Sequence, residues 1–550
     1  MLSVVICFFL GFVMFLQLKG VETGTYFPTD GPSVWTKTYL GLVHEIEDGG
    51  KDAGRLYITT SDANNTDAWV NANSKSIHQS IESGEKAEVK LSYKVIVPQE
   101  SAKNNLYGIC VVSPGDLGIY FRDRWTFFQM RELSQLGFRY TVVSYSNTAD
   151  PMLSVVGICV PFDFTKLTIT FRDGVNVSNV LGPVSSSIKG QTVVLKGLAY
   201  RSVLKLESDE DLTGTIIESS NRIAVIAGAM SVDNSTRSVY LDHMTTRNAG
   251  SEYIVFGLPD IGGSDTVRVV AKSRDTRVTL DNNQQLLLTE AGDFADVSFS
   301  RGSFHTLTAS SEVIVAIFLK NGGPRKTDMV VVHSVGSSTT SKYQFSIPSL
   351  SGDVNFKHYL VVTTDSSGQA RMVLNGQALP QETVWFSISR TSHVGGYVPL
   401  VDTVQAQVIS TTDGSYFNAY LMGYGDDATY GSALEGINTP QEDTSDLQAS
   451  SGKTFCGRTG QNGNFISNGT QMEVSRVQAS GRKRLLSYRS IHRTTLHLQA
   501  CQQTCFLYSD CIGVNYKTVS SSTEINCDVI MTGPSYQLSS QNDWTRYFLK

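Results

Sequence analysis

Ser220-Asn221-Arg222-Ile223-Ala224-Val225-Ile226-Ala227 returns 90 positions later as Ser310-Ser311-Glu312-Val313-Ile314-Val315-Ala316-Ile317, and Tyr253 returns as Tyr343 at the same interval. In each copy a polar stretch leads into a run of Ile, Val and Ala, the composition of a buried strand. Looser echoes follow, Val269-Val270 in Val361-Val362 and Thr279-Leu280-Asp281 in Val373-Leu374-Asn375. A β-type segment repeated at this interval implies a modular, stacked body, with Leu212 to Leu280 as its best-defined copy.

Outward from that copy the texture is the same. Thr192-Val193-Val194-Leu195, Ser202 to Leu206, Thr215-Ile216-Ile217, Val267 to Val270 and Arg277 to Leu280 are short β-branched runs punctuated by Gly, Asp, Asn and Ser. Val89 to Val97 alternates apolar and polar residues before Pro98, as a half-buried strand does. Strands without intervening helices pair antiparallel. Met130, Leu133 and Leu136 recur every three residues, a pattern that suits one helical turn or a connection. Gly108-Ile109-Cys110-Val111 returns as Gly157-Ile158-Cys159-Val160 after 49 positions, near half the longer interval. Both spacings suit a module of about 45 to 50 residues, room for the four strands of a propeller blade. The expected body, residues 24–425, is therefore an all-β repeat in a propeller-like ring, with tandem β-sandwiches as the alternative. Asp426 to Lys453, rich in Asp, Thr, Ser, Gln and Gly, reads as a linker.

At 550 residues with 41% hydrophobic content the chain can bury several cores, and a net charge of −6 gives no whole-molecule field favouring nucleic acid or an anionic membrane. Residues 1–20 carry an apolar run from Val4 to Leu16 that turns polar at Lys19; its length suits a cleaved signal peptide. Secretion, with no membrane insertion after signal removal, is the expectation. Cys7 leaves with that segment, Cys110 and Cys159 stand apart in the body, and Cys456, Cys501, Cys505, Cys511 and Cys527 crowd the end, the distribution of a small disulfide-stapled domain joined to a large one. Cys110 and Cys159 read either as a pair between neighbouring modules or as two small buried hydrophobes. Asn64, Asn176, Asn234 and Asn468 open glycosylation sequons.

Thr494 to Cys505 reads as a helix capped by Thr494, with Leu498, Cys501 and Cys505 on one face; Cys511 to Tyr516 and Asn526 to Met531 read as strands. The order Cys-x3-Cys-x5-Cys-x-Gly-x2-Tyr, a later cysteine and a closing Trp-x2-Tyr-Phe resembles a PAN/apple domain over 455–550. The resemblance implies an α+β fold with Cys501 bonded to Cys527 and Cys505 to Cys511, the longer loop contributing roughly 3 kcal/mol in the chain-entropy picture. Cys456 has no counterpart near the C-terminus, which leaves it to a body cysteine, to no partner, or to another chain in an oligomer. The body resembles the N-terminal domain of IgGFc-binding proteins, through Asp211-Leu212-Thr213-Gly214-Thr215, Ile223 to Ala227, Gly250 to Val255, Val267 to Ala271, Thr276 to Leu280 and the weaker copy Leu136 to Val143. That resemblance implies a secreted, non-enzymatic binding or adhesive protein linked to mucus and defence. The cysteine-dense repeats of larger members are missing from this chain.

Several stretches invite a chemical reading. Glu207-Ser208-Asp209-Glu210-Asp211 offers clustered oxygens to calcium, though without a calcium loop's glycine spacing; a solvated turn is the plainer reading. Asp365-Ser366-Ser367-Gly368 and Asp413-Gly414-Ser415-Tyr416 supply carboxylates for an extracellular glycan hydrolase, the rival to a binding protein; without Asp-box partners they read as loops. The nine histidines lack zinc spacing, and neither a Gly-x-Ser-x-Gly elbow nor a phosphate loop occurs. No catalytic residue, metal or cofactor is assigned. Arg476, Arg482, Lys483, Arg484, Arg489 and Arg493 fall within eighteen residues and form a candidate contact for sulfated glycan or another polyanion, or else a solvated face. The expected partners are extracellular proteins or glycans.

Overall fold

The computed structural model describes residues 37–436, short intervening segments apart, and beyond them only strands lying between 466 and 548. Among the described residues there is no α-helix, and the strands up to residue 433 fall into four consecutive units, 37–132, 137–243, 250–332 and 342–433.

The second and third units show how the repeated stretch works. Ile216–Ser231 is one strand that serves two layers: its first half pairs with Gly137–Thr141 and Thr165–Thr170, its second with Met152–Cys159 and Val239–His243. Phe304–Lys320 does the same against Gly250–Phe256 and Thr276–Leu280, then Ser264–Ala271 and Thr327–Val332. Midway, Gly137 faces Ile223 but Arg139 faces Glu218, and Gly250 faces Val313 but Glu252 faces Thr308. In these ladders residues 219–222 and 309–312 stand against the single residues Phe138 and Ser251, and extra residues on one strand kink it.

A kink of this kind leaves main-chain groups without ladder partners, and side chains take them. The Lys166 N–H donates to Ser220 Oγ at 2.9 Å, and the Arg277 N–H to Ser310 Oγ at 2.9 Å. The Tyr140 hydroxyl donates to the Ile223 carbonyl at 2.6 Å, and that of Tyr253 to the Val313 carbonyl at 2.5 Å. In the fourth unit the corresponding strand is interrupted, as Gln407–Thr411 and Asn418–Tyr424, and the Tyr343 hydroxyl donates to the Phe417 carbonyl at 2.5 Å. The first unit is a two-layer sandwich about Leu56, Ile58, Val70, Ile109, Val111 and Ile119.

The units close on themselves. Leu40, Trp69 and Cys110 pack with Val155, Cys159 and Ile226; Ile217 and Val225 share a core with Val270, Ile314 and Phe318. Val269 and Val315 share one with Val361, Tyr420 and Met422, and Leu360, Leu421 and Tyr430 return to Tyr57, Tyr120 and Phe127 of the first unit. Polar contacts fix this last joint: the Tyr120 hydroxyl donates to the Gln344 carbonyl at 2.7 Å, Lys86 Nζ to the Ile347 carbonyl at 2.9 Å, and the Glu435 N–H to Gln129 Oε1 at 2.7 Å. Buried Arg122 donates to the Pro348 carbonyl and lies over the rings of Phe356 and Tyr430, while Arg131 pairs with Glu435. One strand from each unit, Phe127–Gln129, Val239–His243, Thr327–Val332 and Thr429–Ala433, touches the next around the centre.

Several expectations need correction. The units form a ring, but they are not single-sheet blades of consecutive strands: a bent strand joins two layers in the second and third, and the first and fourth each hold two sheets. The 49-residue spacing is not a half-module: Leu106–Ser113 and Met152–Cys159 occupy different places in their units, the first pairing with Lys37–His44 and Thr66–Ala72, the second with Val203–Ser208 and the bent strand. The linker cannot begin at 426, since Thr429–Ala433 pairs with Asn418–Tyr424 and is buried; Gly431 fits the crowded centre, where it lies against Val330 and Leu319. Leu133–Gln135 is a single 3-10 turn, the connection rather than a helix. At Thr494 the helix gives way to the strand Ile491–Thr495, whose β-branched residues pair with Ile525–Met531; residues 496–510 lie outside the described residues. The expected strands Cys511–Thr518 and Ile525–Met531 join it and Thr545–Phe548 in one antiparallel sheet.

Replacing Tyr253 with Phe keeps the ring and orphans the Val313 carbonyl at the kink, so denaturant unfolding should show a loss of about 1–3 kcal/mol. Unchanged stability would mean the hydroxyl does not hold the bend.

Candidate recognition surface

The most divergent feature among the repeated bends is in the fourth unit. Where the second and third units carry the bulged residues 219–222 and 309–312 within a continuous strand, the fourth breaks the strand with residues 412–417. This segment stays anchored at its root, with the Thr412 N–H donating to the Arg371 carbonyl at 2.9 Å and the Phe417 N–H to the Thr340 carbonyl at 3.3 Å. Between these anchors Tyr416 is 61% exposed, the most exposed aromatic among the described residues' large exposed hydrophobics.

The neighbouring turn is Asp365 to Gly368, so the two stretches with hydrolase-like carboxylates meet through Arg371, which pairs with Asp413. Each carboxylate is occupied by its own turn. Asp365 Oδ1 accepts from Ser367 Oγ at 2.6 Å and the Gly368 N–H at 2.7 Å; Asp413 Oδ1 accepts from Ser415 Oγ at 2.7 Å and the Ser415 N–H at 3.1 Å. These bonds favour the ionised form. The Ser367 hydroxyl and the Gly368 amide hold the Asp365 carboxyl below its usual range, and the Ser415 hydroxyl and amide, with Arg371, bring Asp413 to about 2. A general acid needs the opposite shift. What the arrangement offers is an exposed phenol on a pinned loop whose Asp413 pairs with a guanidinium, residue types that anchor interfaces.

The acidic run lies elsewhere. Asp211 accepts from Arg268 Nη1 at 2.5 Å, and Asp296 takes the other edge of the same guanidinium at 2.7 and 2.8 Å. Arg268 is 2% exposed, lies over the Phe294 ring and also donates to the Ser144 carbonyl at 2.7 Å. Burial opposes its charge, but Asp296 and Asp211 raise its pKa above the ordinary arginine value. Glu207 pairs with Lys205. The run therefore joins the second and third units, and the calcium reading loses Asp211 and Glu207 to cationic partners. At the same joint Gly214, with φ of 87°, meets Gly292 so closely that a Cβ would strike its carbonyl.

Cys110 and Cys159 lie buried in the cluster joining the first two units, with Cys159 Sγ 3.0 Å from where a Cβ on Gly108 would stand. Asn64 is exposed, and Asn176 lies in the strand Asn176–Val177. Lys483 and Arg484 lie in Lys483–Leu486, Arg493 in Ile491–Thr495, and Cys511 and Cys527 on adjacent strands. Residues 1–20, Asn234, Asn468, Cys456, Cys501, Cys505, Arg476, Arg482 and Arg489 lie outside the described residues. Arg371 and Tyr416 are marked by no sequence motif; the break between Thr411 and Asn418 in the strand that is continuous in the second and third units is the signal that finds them.

Repeated β units that carry polar loops on fixed bends define a scaffold for surface recognition. Comparison with known families agrees: the family described as IgGFc binding protein matches residues 130–423, more than half of the chain, and the chain belongs to that family. The matched segment runs through the second, third and fourth units. Among curated proteins none matches the chain. The family points to an extracellular protein that binds other proteins. No helix among the described residues is long and apolar enough to cross a membrane.

Because Asp413 is depressed on folding, its contribution to loop order is complete above the ordinary value of 3.8 and is lost as pH falls through about 2. An NMR titration of its carboxyl should show a midpoint near that lower value, and Ser415→Ala should raise it; an ordinary midpoint in the unaltered chain would dissolve the pinned-loop description.

Proposed function

We propose that this is a secreted, glycosylated recognition protein, acting in mucus or defence, whose ring presents the Thr412–Phe417 loop to an extracellular protein or glycan. The observation that carries the reading is Tyr416, exposed on a loop that is fixed at both roots and whose Asp413 pairs with Arg371. A rigid aromatic contributes contact area at small entropic cost. The C-terminal segment, as a PAN/apple-like module stapled by Cys501–Cys527 and Cys505–Cys511, adds a second contact surface, and its basic residues suit a sulfated glycan. The rival, glycan hydrolysis by the same loops, draws no support from two carboxylates held ionised.

The purified full chain, applied to glycoprotein and glycan arrays beside a panel of glycosidase substrates, should give binding without glycan turnover. Tyr416→Ala and Arg371→Ala should each weaken capture about 10-fold or more. Binding indifferent to both changes would remove the loop from the reading, and turnover abolished by Asp365→Asn or Asp413→Asn would replace binding with catalysis. Independently, Arg482, Lys483 and Arg484 changed together to Ala should lower the salt at which heparin releases the chain; identical elution would remove the basic segment.

A further inference from the structure

The third unit holds a second constellation, apart from the fourth-unit loop. His305, near the start of the bent strand Phe304–Lys320, has Nδ1 2.7 Å from Asp281 Oδ2 and Nε2 2.9 Å from Ser303 Oγ and 3.1 Å from Ser300 Oγ. Ser300 Oγ is in turn 2.8 Å from Ser303 Oγ. A carboxylate accepts only, so Nδ1 carries the proton toward Asp281, and in the neutral imidazole Nε2 accepts from a hydroxyl; the Ser303 hydroxyl, which here donates to the Ser300 carbonyl at 2.7 Å, reaches Nε2 by rotating about its Cβ–Oγ bond. Nucleophile, base and orienting carboxylate within hydrogen-bond reach, in that order, is the geometry of an activated serine.

The parts are held by the sheet rather than by a loose loop. His305 faces Val255 across the ladder, and the Asp281 N–H donates to the Thr306 carbonyl at 3.1 Å. The turn Ser300 to Ser303 is fixed by the Arg301 N–H on the Gly263 carbonyl and the Gly302 N–H on that of Leu258, with Gly302 at φ 64°. The Phe299 ring packs 4.8 Å from the imidazole and gives it an apolar flank. Ser303 is partly exposed and Ser300 exposed, so a small electrophile can reach the hydroxyls.

We propose that Ser303, His305 and Asp281 form an acyl-transfer site that takes small, unhindered carboxylic esters. Ser303 Oγ bonds to the ester carbonyl carbon as its proton passes to His305 Nε2. The tetrahedral adduct then breaks its bond to the alkoxy oxygen, which leaves as the alcohol with that proton. Water, giving a proton to the same nitrogen, attacks the acyl-serine; the carboxylic acid departs and the proton returns to Ser303. Asp281 orients the imidazole through its carboxylate oxygen on Nδ1, and Ser300 positions Ser303.

A fluorophosphonate probe applied to the full chain should label Ser303, as read by peptide mass spectrometry, and p-nitrophenyl acetate should be hydrolysed with an acyl-enzyme burst. Ser303→Ala should abolish labelling. His305→Asn and Asp281→Asn should slow it on the order of 100-fold, with unfolding midpoints measured alongside to show that each variant is folded; Ser300→Ala should cost less than about 10-fold. An unlabelled wild-type chain, a label on any other residue, or undiminished labelling of folded His305→Asn would overturn the assignment.

Discussion

The structure depends on a phenolic hydroxyl donating to one carbonyl at a bend. Without the bend, the 16 residues of Ile216–Ser231 would run about 53 Å as a straight strand, far beyond the width of a small unit. With it, the same strand lies in both layers and one apolar run supplies two faces. The carbonyls of Ile223, Val313 and Phe417 lie at the three bends and are met by Tyr140, Tyr253 and Tyr343. Burial makes the arrangement strict, since a carbonyl removed from both the ladder and water loses the solvation that an exposed one keeps. Phenylalanine would fill the volume and leave that loss in place.

The joints between units follow a different rule. Apolar faces alone would let neighbouring sheets slide, because hydrophobic contact has no direction. Arg268 and Arg122 remove that freedom: each is buried, lies over aromatic rings and reaches an acceptor on another unit, Asp211 and Ser144 for the first, Pro348 for the second. A guanidinium suits this because its planar fork presents several donors while its face stacks. Such pairs add little net stability when well formed and cost several kcal/mol when mismatched, so they select the register in which the ring closes.

The repeated string disclosed the bend without disclosing its purpose. Ser220 and Ser310 recur because each accepts from the strand opposite, and Tyr253 and Tyr343 recur because each meets a carbonyl at a kink; a one-dimensional reading shows the recurrence and only the ladder shows the partner. The half-interval failed for a related reason, since Gly-Ile-Cys-Val describes any tightly packed buried strand and carries no place in the topology. Thr429–Ala433 reads as linker because Thr, Gly, Ser and Ala, which pack a strand at a crowded centre around Tyr430, in sequence look like the residues of a loop. Arg268, Arg122 and the trio of Asp281, Ser303 and His305 were invisible, as their partners lie in other elements and no local pattern marks them. The C-terminal helix failed at Thr494 because capping chemistry and β-branching favour different structures for the same threonine, and pairing with Ile525–Met531 decides between them.

The fourth unit shows why variation collects at the bends. A residue inserted mid-ladder reverses the facing of every side chain beyond it, which would turn a buried face toward water. At a kink the ladder is already interrupted, so the register on either side is set independently, by Lys342–Phe345 before the break and by Lys357–Asp365 after it. The Thr412–Phe417 segment can therefore lengthen and change composition while Tyr343 still reaches the carbonyl of Phe417. The constraint that folds the unit is local to the root of the loop, and the residues beyond that root are left to chemistry.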